Sequence, residues 1–331
     1  MLGKQRGLGR LLIRSRSFSE SAELERQFID WLTANLPTSP CLRLGAGDDA
    51  AVLRWAEGGD LVVTTDAVTD QVDFVLADVD PRLVGHKALG VNLSDLAAMA
   101  AEPVAVVVSL VLPRQGSGRF SALELAVELY RGLVPLAEKF GVAIAGGDTN
   151  TWDGPLVISV TAFGRTTSRG PLSRSGAKPG DAVLVTGRLG GSILGRHLNI
   201  EPRVREALLL HERYDLHAGM DISDGLALDA SRLAAASGCG IALRQELIPV
   251  SDDAVRLAKT SGKSAVDHAL GDGEDFELLL TASAAVAEQM LRDQPLVIPV
   301  TRVGWCVDQP GLWEQSGDGS LAPMPSTGYQ H

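Results

Sequence analysis

Carboxylates recur at the ends of apolar segments, or inside them, with few bases beside them. Asp48 and Asp49 stand between a glycine and AAVLRW. Thr64, Thr65 and Asp66 end LVVTTD, and Asp95 lies within VNLSDLAAMA. Asp148 follows two glycines after VAIA. Asp221, Ser223 and Asp224 fall in MDISDGLALD, and Glu274 and Asp275 precede FELLLT. An ionised carboxylate buried without a partner costs several kcal/mol. A chain carrying many of them needs cations, and oxygen donors favour hard divalent ions, Mg2+ before others and several of them. Taken singly, Asp224 also reads as a helix N-cap, and Asp48 and Asp148 as turn residues. Asp95, inside a helical Ala/Leu stretch, has no capping role.

Charge and spacing exclude several classes. The net charge is −11, from 30 Lys and Arg against 41 Asp and Glu, which disfavours nucleic acid. An acidic chain can bind phosphates when metal ions carry the positive charge. The longest apolar run, around Val104–Leu112, is about half a membrane span. Cys41, Cys239 and Cys306 have neither zinc nor disulfide spacing and read as buried free thiols. With no apolar signal core, the expected location is cytoplasmic. There is no G-x-x-x-x-G-K-[ST]. Gly45 to Ala50 fits a dinucleotide fingerprint by letter, but a strand and a hairpin turn follow it, not a helix.

The 331 residues suit about two domains. Residues 1–18, basic and free of acids, read as a disordered extension. A helix follows Ser19, with Leu24, Phe28, Ile29, Leu32 and Leu36 at helical spacing. Next come the strands CLRLGAG and AAVLRW, the latter turning through Glu57–Asp60 into LVVTTDAV as a hairpin. A helix over Pro81–Ala101, the strand VAVVVSLVLP, a helix over Phe120–Phe140, VAIAGGD ending in a glycine turn, and LVISVTAFG complete an α+β domain, 19–165, on a largely antiparallel sheet. The Ser-, Gly-, Pro- and Arg-rich segment Arg165–Asp181 marks the boundary. The second domain, 166–331, holds AVLVTG, a helix near Asp224–Ala236, GIALR, a helix near Asp252–Ser261, FELLLT, a helix near Ala282–Asp293 and VIPVTRVGW.

GAGDDAAVL, TTDAV, HKALGVNLSDLAAMAAEP, AGGDTN, SRSGAKPGD, MDISDGLALD and GDGEDFELLLT occur in the order seen in thiamine-monophosphate kinases, which the chain resembles from about Ser19 to its C-terminus. That family sits in an ATP-binding superfamily with aminoimidazole ribonucleotide synthetase and selenide water dikinase. The resemblance implies a homodimer whose N-terminal antiparallel sheets pair into a barrel, with a C-terminal α/β sandwich domain beside it. It implies that Asp49, Thr64, Thr65, Asp66, Asp95, Asp148, Asp221 and Asp224 hold Mg2+. Tyr130, Gly147, Asp148, Arg174 and Ser223 would contact ATP, and Glu274 the substrate.

The chain departs from the pattern on the acceptor side. Asp73 stands where the family usually has His before Phe, and Ser326 where an aromatic usually precedes Gly-Tyr. Both are expected to face the substrate, Asp73 toward its organic part. The implied activity is ATP-dependent phosphorylation of thiamine monophosphate to thiamine diphosphate. The alternatives are a related phosphotransferase with another acceptor, or a nucleotide-binding non-enzyme. A phosphate monoester, with a second pKa of about 6, is already mostly dianionic at neutral pH, so no general base is needed. No nucleic-acid or membrane partner is expected.

Overall fold

The structure, a computed structural model, describes residue 31 and residues 34–37, 39–40, 42–44, 52–53 and 60–328. The expectations for residues 1–18, Asp49, Cys41 and most of the first helix lie outside the described residues.

A four-stranded sheet runs in the order β3 (Leu61–Thr69), β6 (Val157–Thr166), β4 (Ala101–Pro113), β5 (Ala143–Trp152). The pairs β3–β6 and β6–β4 are antiparallel, and β4–β5 is parallel. A parallel pair needs a crossover. Helix α2 (Ala122–Phe140) supplies it, opened by a capping box between Ser121 and Glu124 and closed by Gly141 in the left-handed region. The short strands β1 (Leu42–Leu44) and β2 (Val52–Leu53) pair with each other. Of AAVLRW only Val52 and Leu53 are described, so the expected hairpin into LVVTTDAV lies largely outside the described residues, while β3 is matched along its whole length to β6 on one side. Residues 54–59 of that expected turn lie outside the described residues.

The glycines of VAIAGGD do not end a strand. β5 continues through Gly146, Gly147 and Asp148 to Trp152, with a register shift opposite Val106 and Val107. A Cβ on Gly147 would lie 1.7 Å from the carbonyl oxygen of Val108. The glycine is there because two backbones meet.

Helix α1 (Pro81–Ala98) starts at Asp80, whose side chain accepts the Arg82 N–H, with Pro81 in the first turn. It is buried on nearly every side, as an all-round apolar helix must be. The seven-stranded sheet follows in the order β13 (Leu321–Pro323), β12 (Gly311–Gln315), β9 (Gly240–Leu243), β11 (Val300–Val307), β7 (Ala182–Thr186), β10 (Leu278–Ala282), β8 (Leu216–Asp221). Its pairs are antiparallel except β9–β12.

This second sheet divides two apolar cores. Leu184 and Leu280 point into a core shared with Val106 and Val108 of the first sheet, with Leu93 of α1, and with Leu210 of α3 (Val204–Arg213). Val183, Val185 and Leu279 point the other way, under Leu226 and Leu233 of α4 (Leu226–Ser237) and Ala269 of α6 (Ala265–Gly271). Between β9 and α6 runs α5 (Asp252–Ser261), and α7 (Ala284–Asp293) follows β10. The fold is thus a mixed α/β architecture. Residues 167–181 hold no named element, but the first core passes under them. Cys239 and Cys306 are buried free thiols. Among the described residues no helix is long and apolar enough to cross a membrane.

Candidate active site

A cleft of about 660 Å3 opens where α1 meets the end of β8 and the segment before β10. α1 brings Lys87, Val91 and Asp95 to it, spaced four residues apart and so on one face. Asp66 of β3, Arg174 of the loop before β7, and Asp221, Ser223 and Asp224 after β8 line the same space. Asp73 and Glu274 line it too.

Strand alternation separates the three residues of Thr64-Thr65-Asp66. Thr64 donates its hydroxyl to Asp95 Oδ2 at 2.5 Å, and Asp66, two residues on, lines the cleft on the same side. Thr65 faces away, donating to the carbonyl of Val160 at 3.2 Å and meeting the Thr161 hydroxyl at 3.0 Å. On α1, buried Ser94 donates to Asp221 Oδ2 at 2.6 Å. Burial raises the Asp95 carboxyl, and raises Asp221 to about 7, with the charge of Asp95 the next cause. The Arg174 charge offsets part of the rise at both.

The other acids are not bare. Glu274 forms an ion pair with Lys87, whose ammonium also donates to the Asp73 carbonyl at 2.9 Å. Asp224 pairs with Arg232, and Asp275 with Arg196. The sequence suggested acids without bases. Within the cleft the condition holds for Asp95 and Asp221, which hydroxyls approach and which no ion pair reaches among the described residues. Asp224 is not the cap of α4 either. That place is taken by Gly225, with no side-chain cap bond, and the Asp224 N–H is donated to Asp229 at 2.9 Å.

Several expected contacts lie elsewhere. Tyr130 is a core residue, edge-on to Trp31 at 6.4 Å, and burial raises its hydroxyl pKa. Gly147 and Asp148 sit exposed on the outer strand β5 and do not line the cleft. Ser326 is exposed outside it, although its neighbour Thr327 lies against Gly271. Asp73 lines the cleft, but its carboxylate accepts the Thr69 N–H at 2.7 Å and so caps the 69–73 turn.

Lys87, Ser94, Arg232 and the Ser192–Ile193 turn are cleft or cleft-facing groups the sequence reading missed. Lys87 had a signal, standing two helical turns before Asp95. The others are brought in by tertiary contacts that no local spacing announces.

A protein-family model described as AIR synthase related protein, N-terminal domain, matches residues 47–166. A thiamine-monophosphate kinase of Rhodopirellula baltica is 41% identical over 315 residues, covering 93% of this chain and 97% of the relative. The crystal structure of a thiamine-monophosphate kinase from Stenotrophomonas maltophilia superposes with a TM-score of 0.75 at 31% identity, covering 90% of this chain and 97% of that one. A structure described as AaThiL complexed with AMPPCP and TMP matches at TM-score 0.67 and 27% identity, covering 97% and 99%.

Proposed function

The chain belongs to the thiamine-monophosphate kinases, and from that premise we propose how its own residues carry phosphoryl transfer from ATP to thiamine monophosphate. The products are ADP and thiamine diphosphate. The observation that carries the assignment of roles is the Asp95–Asp221 pair, two raised carboxyls in one cleft, each accepting a hydroxyl hydrogen bond.

Two polyanions must meet in line, and the acceptor phosphate is already a nucleophile, so the protein has to neutralise and align them. Asp95 and Asp221, with Asp66 and Asp224, offer the hard oxygen donors that suit Mg2+. Among the described residues no three His, Cys, Asp or Glu side chains form a metal cage. Asp49, a further expected ligand, lies outside those residues. Bound by the cleft acids, Mg2+ would supply positive charge to the phosphates. Thr64 and Ser94 orient the two carboxylates by donating to them. Arg174 offers a fixed cation to the nucleotide, and Ser223 a hydroxyl beside it.

Dimer formation is part of the same proposal. β3 and β5 are the outer strands of the four-stranded sheet, and Leu61, Val63 and Trp152 on them are exposed large apolar residues. Pairing these edges between two copies into a barrel would cover them and carry Gly147, Asp148 and Thr65 to the interface. The division near residues 165–181, from its Ser-, Gly-, Pro- and Arg-rich composition, and a cytoplasmic location complete the reading. Coupled measurement of ADP release tests the function. Release must rise when thiamine monophosphate is added with Mg-ATP; no rise would overturn it.

A further inference from the structure

Of the large apolar residues lining the cleft, Val68, Val91 and Phe276 are buried and two stand bare among its charges. Val72 and Ile193 line it and are each 59% exposed. Both are held there by backbone that has little freedom to fold them away. Val72 sits in the turn in which the Thr69 carbonyl accepts the N–H groups of Val72 and Asp73, at 3.1 and 3.0 Å. The Asp73 carboxylate and Lys87 close that turn from its two sides.

Ile193 is carried by a glycine-rich loop stitched to the segment 272–275. The Gly190 N–H donates to Asp275, 2.9 Å from each oxygen, and the Gly191 N–H to Asp272 Oδ2 at 3.0 Å. The Ser192 hydroxyl donates to the Gly273 carbonyl at 2.7 Å. Gly190 and Gly191 have φ of 86° and 72°, values that suit glycine. Asp272 is itself steadied by His268, with Nδ1 2.8 Å from Oδ1, and His268 by the Ser261 hydroxyl at 2.7 Å from Nε2. Asp275 and Asp272 are thus positioning residues for the loop that bears Ile193.

The place of this pair in the cleft identifies what it holds. Val72 adjoins Asp73 and Ile193 adjoins Ser192, and both tie to the Lys87–Glu274 pair. Lys87 and Asp95 are eight residues apart on α1, about 12 Å at 1.5 Å per residue. The phosphate chemistry belongs to the Asp95 end, so the Lys87 end receives the part of the acceptor farthest from its phosphate. That end carries Asp73, Glu274 and Asp272 against Lys87, a balance that suits a cationic ring and repels a nucleotide phosphate. We propose that Val72 and Ile193 form an apolar clamp on the heterocyclic rings of the phosphate acceptor and set the preference for it over small phosphate monoesters. The proposal rests on the kinase reading above and names the residues that read the organic half of its substrate.

The test is steady-state kinetics on the full chain with Mg-ATP, for the wild type, Val72→Ser, Ile193→Ser and Ile193→Met. Covering one Ile or Val side chain corresponds to roughly tenfold in affinity. Each Ser variant should raise the KM for thiamine monophosphate about tenfold while leaving kcat and the KM for ATP nearly unchanged, the signature of uniform binding lost. Ile193→Met should restore most of it. An unchanged acceptor KM in both Ser variants, or an equal rise in the KM for ATP, overturns the clamp. Wild-type ADP release that does not respond to thiamine monophosphate overturns the kinase reading itself, so the two failures are told apart.

Discussion

The Ser94 hydroxyl donates to Asp221 at 2.6 Å, and that bond seats Asp221 next to Asp95, the following residue of the same helix. An element of the first half of the chain and a strand end of the second are joined by it, at the point where both carboxyls are raised. Such a pair stores a charge conflict that a cation relieves.

The conflict should be visible in the metal-free protein. Asp221 moves from 3.8 to about 7 on folding. Below the lower value both states hold the proton. Between the two, the folded protein keeps a proton that the unfolded chain has released, so stability falls as pH rises through this window and levels off above about 7. With a chelator present, Asp221→Asn should therefore gain in melting temperature relative to wild type between about pH 5 and about pH 8, by roughly 2–4 °C for each kcal/mol relieved. Thermal melts across that range check it. Parallel pH profiles for the two proteins would remove Asp221 as the source.

Asp95→Asn should abolish turnover without loss of the apo fold. The amide oxygen can still accept the Thr64 hydroxyl bond, and a buried amide avoids the cost of a buried charge. The loss of a metal-facing carboxylate should lower kcat on the order of hundredfold or more. Mg-ATP should also cease to raise the melting point, since a ligand stabilises only through its affinity for the native state. Wild-type turnover would take Asp95 out of the site.

Gly147→Ala separates packing from nucleotide contact. The added methyl meets the Val108 carbonyl carbon at 2.6 Å and its oxygen at 1.7 Å, both backbone atoms of the neighbouring strand. β4 and β5 would have to part, at a cost on the order of 3 kcal/mol or more. Urea unfolding should show that loss. A variant of wild-type stability with a raised KM for ATP would show instead that the glycine serves the nucleotide.

Much of this was written locally in the chain. Asp80-Pro81 announces the start of α1, and Ser121 with Glu124 the start of α2, because caps act over three residues. Asp95 and Asp221 were legible as acids in apolar surroundings. What local patterns could not carry was partnership. Glu274 looked bare until the fold brought Lys87 to it from 187 positions away. Gly146-Gly147 looked like a turn because two glycines usually are one, whereas the real demand came from β4. The helix Val204–Arg213 and the strand Leu216–Asp221 went unread, the one short, the other running directly into the acidic motif. Tyr130 matched an expected nucleotide contact by position, and its ring went into the core.

Lys87 and Glu274 make the sharpest test, because the two partners are unequally buried. The Lys87 side chain is 1% exposed and that of Glu274 is 32%. Removing the carboxylate by Glu274→Ala leaves an ammonium in the protein interior with the Asp73 carbonyl at 2.9 Å as its remaining neighbour. A buried charge stripped of its partner costs about 3–5 kcal/mol. Lys87→Met keeps the volume and the stem packing, and it leaves a carboxylate that water can reach, so its cost should stay under about 1.5 kcal/mol. The order of the two effects in urea unfolding is the prediction. Both variants sever the link between the 69–73 turn and the Gly273–Phe276 segment, so both should raise the KM for thiamine monophosphate with the KM for ATP held. If Lys87→Met proves the more destabilising of the two, the pair is not an interior lysine served by a surface acid, and the link it makes across the cleft must lie elsewhere.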